Sequence, residues 1–191
     1  ETGFRLVCKR GELMQREAEK FDTSMAAVVK LAPEQLQKVC DQYSDVYPVN
    51  FNCPGQITVS GLSSQMAVFF AAVKAAGGRA IPLKVKGAFH SPFMKAAAAA
   101  FAEELEKAEV KDRYIMLYSN LTAEVYTDDV TGLLSKQIRS PVQWEKIIHN
   151  MIADGVDTFI EIGPGKTLTN MIRKISTDVK AISITEYLAE G

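Results

Sequence analysis

The chain has 191 residues, 47% of them apolar and 24% charged, enough for a sizeable core and the composition of a folded protein. Its 22 Lys and Arg against 23 Asp and Glu leave a net charge of −1, which excludes a nucleic-acid binder relying on overall charge. No window approaches ~18 consecutive apolar residues, so no transmembrane helix and no membrane partner are expected.

Cys8, Cys40 and Cys53 are odd in number and lack CxxC spacing, and the only histidines are His90 and His149. A reducing, cytoplasmic compartment is therefore expected, without a disulfide framework or a metal cluster. The chain opens at Glu1 with no initiator Met and no basic-then-apolar leader. Phe4, Val7, Cys8 and Met14 fall at helical spacing, so it reads as starting inside or just before a helix, either a trimmed chain or a fragment of a longer protein. Residues 3–20 are expected to form an amphipathic helix, with Lys9, Arg10, Glu12, Arg16 and Glu17 outward. Met25 to Leu31 is an apolar run fit for a strand. Pro33 starts a helix carrying Leu36, Val39, Cys40 and Tyr43. Val46 to Cys53 and Gln56 to Gly61 are strands joined at Pro54-Gly55. Leu62, Met66, Phe69, Phe70 and Val73 mark a helix ending at Gly77-Gly78, and Ala80 to Val85 is a further strand. The order β-α-β-β-α-β is that of a ferredoxin-like subdomain.

The remainder alternates strands with helices, which suggests a parallel α/β sheet. Ser91 and Pro92 read as N-cap and first residue of a helix lined by Met94, Ala97, Ala98, Phe101 and Leu105. Ile115 to Ser119 suits a strand. Trp144, Ile147, Ile148, Met151 and Ile152 form a helical stripe that expects a partner. Thr158 to Ile162 is a strand, Gly163-Pro164-Gly165 a turn, Leu168, Met171, Ile172 and Ile175 a helix face, and Ala181 to Ile184 a last strand. Gly165-Lys166-Thr167 is not a phosphate-binding loop, because Ile160 stands where that motif needs Gly.

His90 lies in Gly87-Ala88-Phe89-His90-Ser91-Pro92, between a strand and a helix, where α/β folds place their sites. Two readings stand: a structural loop histidine, or a general base kept neutral beside a helix N-terminus. A base needs a nucleophile, and the elbow G-x-S-x-G is absent from the 191 residues. Arg5 and Arg10 on the first helix are either solvated or, as Arg does better than Lys, a clamp for a carboxylate. His149 falls opposite the Trp144–Ile152 stripe and reads as surface. Between Val46 and Ala102 there is no Asp or Glu, while Lys74, Arg79, Lys84, Lys86 and Lys95 are all present. Such a field either is a chance excursion or attracts an acidic or phosphorylated partner.

Taken together, several segments resemble one family. They are Leu6-Val7-Cys8-Lys9-Arg10-Gly11 with Met14-Gln15; Met25-Ala26-Ala27-Val28; Val49-Asn50-Phe51-Asn52-Cys53-Pro54-Gly55-Gln56 with Ser60-Gly61; Gly87 to Met94; Pro141-Val142-Gln143-Trp144; and Glu161-Ile162-Gly163-Pro164-Gly165. In this order and spacing they closely resemble the malonyl-CoA:acyl carrier protein transacylases of fatty acid synthesis, over essentially the whole chain. The resemblance implies an α/β fold: a partial α/β-hydrolase-like core over 1–23 and 87–191, with an inserted ferredoxin-like subdomain over 24–86. It implies ping-pong transfer of malonyl from CoA to acyl carrier protein through a serine ester, with no cofactor beyond the carrier's phosphopantetheine. On that resemblance His90 is the general base and Gln137 orients it through its backbone carbonyl. Arg10 pairs with the malonyl carboxylate, Phe89 crowds an α-methyl branch, and Asn52 is a further substrate-binding residue.

The family's nucleophile stands in G-H-S-x-G, in an N-terminal segment that also supplies part of the oxyanion hole. This chain begins just after that elbow, so it is expected to be N-terminally truncated and inactive alone. Self-association through apolar core surfaces is expected to follow. The alternative is a non-catalytic module that binds acyl carrier protein through the acid-free surface.

Overall fold

Helix α1 (Thr2–Ala18) turns Leu13, Met14, Glu17 and Ala18 inward and keeps its first turns exposed. It belongs to a computed structural model that describes residues 1–111 and 114–190. Next come β1 (Thr23–Val29), α2 (Pro33–Cys40), β2 (Val46–Cys53), β3 (Gln56–Leu62), α3 (Ser63–Ala75) and β4 (Arg79–Lys86). The strands form one antiparallel sheet in the order β2-β3-β1-β4, the ferredoxin-like arrangement.

Period-2 alternation decides what each face of this sheet does. Ala26, Val28, Ile57 and Val59 point to the helix side and pack with Leu36 and Val39 of α2 and Phe69 and Val73 of α3. Met25, Asn50 and Thr58 face the other way and are left for the site. Gly55 (φ +69°) supplies the left-handed residue of the β2–β3 turn. At Gly61 a Cβ would stand 2.3 Å from the Asp45 carbonyl oxygen, so only glycine lets β2 and β3 approach there.

Beyond β4, a 3₁₀ turn (Pro92–Met94) leads into α4 (Lys95–Glu106), followed by α5 (Val130–Gln137), α6 (Trp144–Ala153), β5 (Thr158–Glu161), α7 (Thr167–Ile175), β6 (Lys180–Ser183) and α8 (Ile184–Glu190). Leu13 and Met14 of α1 meet Met94, Ala97, Phe101, Leu105 and Ile138 in a second core. β5 and β6 pair in parallel, Thr158 with Lys180 through Glu161 with Ser183, with α7 as crossover. Ile148, Ile172 and Ala181 make a third core, with Trp144, Met151, Ile152 and Phe159 against it.

Four expectations from the sequence need correction. Among the described residues Ile115–Ser119 forms no strand: Tyr118 makes a single bridge to Val125, and Ile115 and Met116 are 61% and 63% exposed, so little packing rewards extension. Ile184 starts α8 rather than ending β6, because the Glu186 carboxylate accepts from the Ser183 N–H and hydroxyl and turns the chain into a helix. The first helix stops at Ala18 rather than residue 20, and its Glu17 faces inward rather than outward. The Trp144–Ile152 stripe finds its partner within the chain rather than through self-association: α7 and β2 cover it, Phe159 packs against the same core, and Ile148 is fully buried. Helix α5 was not anticipated, because Thr131-Gly132 interrupts its apolar pattern; it is started by Asp129, whose carboxylate accepts from the Gly132 N–H. Among the described residues no helix is long and apolar enough to cross a membrane.

Candidate active site

Three pieces of chain enclose a cleft of about 480 Å³. One turn of α1 brings Arg10, Gly11, Met14 and Gln15. The helix-free face of the sheet brings Met25, Asn50 and Thr58, with Leu83 and Val85 from its β4 edge. The loop after β4 brings Phe89 and His90.

The loop conformation is specific. Gly87 takes φ +128°, and a Cβ there would stand 2.7 Å from the Phe89 ring, so glycine lets that ring fold back beside the cleft. His90 itself takes φ +60°, a left-handed conformation uncommon for non-glycine residues and concentrated at functional sites. Ser91 locks the next step. Its hydroxyl donates to the Ala88 carbonyl at 2.5 Å and accepts from the Phe93 N–H at 3.3 Å. That double engagement makes Ser91 a cap and leaves it no freedom as a nucleophile.

The His90 imidazole is mostly buried, and its Nδ1 lies 3.0 Å from the Gln137 carbonyl oxygen. A carbonyl only accepts, so Nδ1 carries the hydrogen and Nε2 of the neutral ring carries the lone pair. Burial pulls the His90 pKa below its ordinary 6.5, and the positive charge of Arg10 pulls the same way. The Gln137 and Ser140 backbone hydrogen bonds oppose them without reversing the direction. His90 is therefore a neutral, oriented base near pH 7.

Arg10 is half-buried, and burial lowers its pKa from the ordinary guanidinium value. Among the described residues no carboxylate pairs with it and no acceptor engages its guanidinium. A half-buried, unpaired guanidinium leaves its donor fork free for an anion, and a planar carboxylate matches that fork.

Asn52 does not line the cleft; its amide donates to the Thr58 hydroxyl at 3.1 Å, and Thr58 does line it. Asn50, Thr58 and Gln15 are cleft residues that sequence reasoning did not single out, although Asn50 and Gln15 stand in the segments that carried the resemblance. Lys84 and Lys86 are exposed on the β4 edge, alternating with the cleft-lining Leu83 and Val85, and so flank the opening rather than enter it. Arg5 and His149 are exposed and outside the cleft. Gly163-Pro164-Gly165 links β5 to α7, whose N-terminus the Glu161 carboxylate caps.

A ferredoxin-like sheet and a helical layer thus bring an oriented histidine and an unpaired arginine into one cleft. Residues 1–188 match the acyl transferase domain, and the chain belongs to that family. It is 39% identical over 187 residues to the malonyl CoA-acyl carrier protein transacylase of Bacillus subtilis, covering 94% of this chain and 59% of that protein. It is 39% identical over 194 residues to the enzyme of the same name from Staphylococcus aureus strain MSSA476, covering 96% of this chain and 62% of that protein. The crystal structure of the Clostridium perfringens malonyl CoA-acyl carrier protein transacylase superposes on the whole chain and on 66% of its own, with TM-score 0.92 and 34% identity. A malonyl-transacylase in complex with a type II PKS acyl-carrier protein matches 94% of this chain and 60% of its own, with TM-score 0.90 and 31% identity. The chain thus spans about three-fifths of the length of its curated relatives.

Proposed function

We propose that these residues carry the base and the carboxylate clamp of a malonyl transferase that moves malonyl from CoA to an acyl carrier protein. The observation that carries this reading is Arg10, half-buried and unpaired, in one cleft with a neutral His90. Arg10 would take the malonyl carboxylate in a bidentate pair. The attacking serine comes from outside the 191 residues, on a longer chain or on a second polypeptide. His90 Nε2 accepts the serine proton as Oγ bonds to the malonyl carbonyl carbon, then returns it to the departing CoA sulfur. The carrier thiol reverses these steps and collects the malonyl group.

The division that supports this is a core of 1–23 and 87–191 and a subdomain of 24–86, each supplying one wall of the cleft. Phe89, lining the cleft, would crowd an α-methyl branch and favour malonyl over methylmalonyl. Lys84 and Lys86, flanking the opening without any acidic residue between Val46 and Ala102, would dock the acidic carrier or the CoA phosphates. Reversing both to Glu should weaken carrier binding mainly at low salt; binding indifferent to reversal and to salt would remove the docking role.

The clamp is tested by titrating the His90 ring by NMR with and without malonate. A carboxylate seated on Arg10 cancels part of its field, so malonate should raise the His90 pKa, and Arg10→Ala should abolish that rise. No effect of malonate on the unaltered chain contradicts the reading.

A further inference from the structure

We infer that Thr58, held as a hydrogen-bond donor by Asn52, is a second anchor for the acyl carboxylate and sets the preference for malonyl over uncharged acyl groups. This rests on the reading that Arg10 receives that carboxylate. Thr58 sits in the middle of β3, paired with Asn50 of β2 and Ala27 of β1, and its residue is 7% exposed. The β2–β3 register shifts between Phe51 and Cys53, which leaves Asn52 as the extra residue of a bulge. Its amide turns back and donates to the Thr58 oxygen at 3.1 Å.

That bond fixes the chemistry of the hydroxyl. A threonine hydroxyl has one hydrogen to give. With its oxygen already accepting from Asn52, that hydrogen has no acceptor among the described residues, although the hydroxyl belongs to a cleft-lining side chain. A buried donor without an acceptor is destabilising, and a ligand that supplies one is selected. A carboxylate offers about four lone-pair sites on two oxygens. Arg10 from α1 and Thr58 from the sheet line the same cleft, so the Arg10 fork would fill one edge of the carboxylate and the Thr58 O–H another. Asn52 is thereby a positioning residue that acts through Thr58, without touching the ligand.

The test is calorimetric titration of the 191-residue chain with malonyl-CoA and with acetyl-CoA. Thr58→Val keeps the β-branched shape and removes the donor. It should weaken malonyl-CoA binding by about 10-fold, the size expected for a lost hydrogen bond to a charged group, and leave acetyl-CoA unchanged. Thr58→Ser should stay within about 2-fold of the unaltered chain for both ligands. Asn52→Ala, which releases the hydroxyl to rotate, should weaken malonyl-CoA selectively and by less than Thr58→Val. Equal loss for both ligands in Thr58→Val, or no loss for either while Arg10→Ala still weakens malonyl-CoA, overturns the inference and leaves the clamp standing. Malonyl-CoA binding that is absent from the unaltered chain, or indifferent to Arg10→Ala, overturns the clamp itself and this inference with it.

Discussion

His90 shows how much of the site is set at a single residue. Its left-handed backbone and the bond to Gln137 orient the ring, while burial and the charge of Arg10 favour its neutral form against the Gln137 and Ser140 bonds. Because the folded pKa lies below the ordinary 6.5, the unfolded chain binds the proton first as pH falls. The stabilisation is present above 6.5 and is lost as pH drops through that value toward the folded pKa. Thermal unfolding followed by circular dichroism should therefore show Tm falling between pH 7.5 and 5.5. His90→Asn, which also tolerates the left-handed region, should flatten that fall; an unchanged slope would show that other groups cause it. His90, Arg10 and Gln137 were legible only as members of an ordered set of motifs, since His90 and Arg10 alone each kept a plain structural reading. Thr58 was not legible at all. Its bond from Asn52 comes with the bulge there, a register shift that alternation cannot reveal.

Among elements, those with a short-range signal were readable. β2 and β3 matched their expected spans within a residue because Pro54-Gly55 sets the turn and alternation sets the faces. Helix α2 ended at Cys40 and β1 began at Thr23, two to three residues from expectation, where packing rather than local sequence fixes the end. α5 was missed and the 115–119 segment misread, because the first depends on a cap at Asp129 and the second leaves Ile115 and Met116 exposed. The clearest energetic device at this scale is Glu161. Its carboxylate accepts from the Leu168 N–H at 3.1 Å, the Thr169 N–H at 2.8 Å and the Thr169 hydroxyl at 2.7 Å, tying β5 to the start of α7. Glu161→Ala should cost about 1 kcal/mol, the usual size of a lost N-terminal cap, and lower the urea midpoint without changing the m-value. A midpoint within error of the unaltered protein would show that water replaces the carboxylate freely.

For the whole molecule, the apolar surface left open lies elsewhere than the α6 stripe. Phe4 and Val7 of α1 are 77% and 67% exposed, Ile162 after β5 is 77% exposed, and Leu188 of α8 is 71% exposed. Among the described residues β5 pairs only with β6, so a parallel sheet normally covered and paired on both sides stops at two strands. Such an edge invites a partner strand. The 191-residue chain should therefore run as a dimer or larger species in size-exclusion chromatography with light scattering. Phe4→Glu combined with Val7→Glu should shift it toward monomer, whereas a monomer at micromolar concentration without dye-binding apolar surface would show that these faces need no cover. On the proposed function this chain holds the base and clamp while the nucleophile lies outside it. Intact-mass measurement after incubation with malonyl-CoA tests it most directly, on the chain alone and on the chain joined to the part of the Bacillus subtilis relative that precedes the aligned region. The account predicts no adduct on the 191 residues, and one malonyl adduct on the joined protein that Arg10→Ala and His90→Ala each suppress. A stoichiometric, His90-dependent adduct on the 191 residues alone would contradict it.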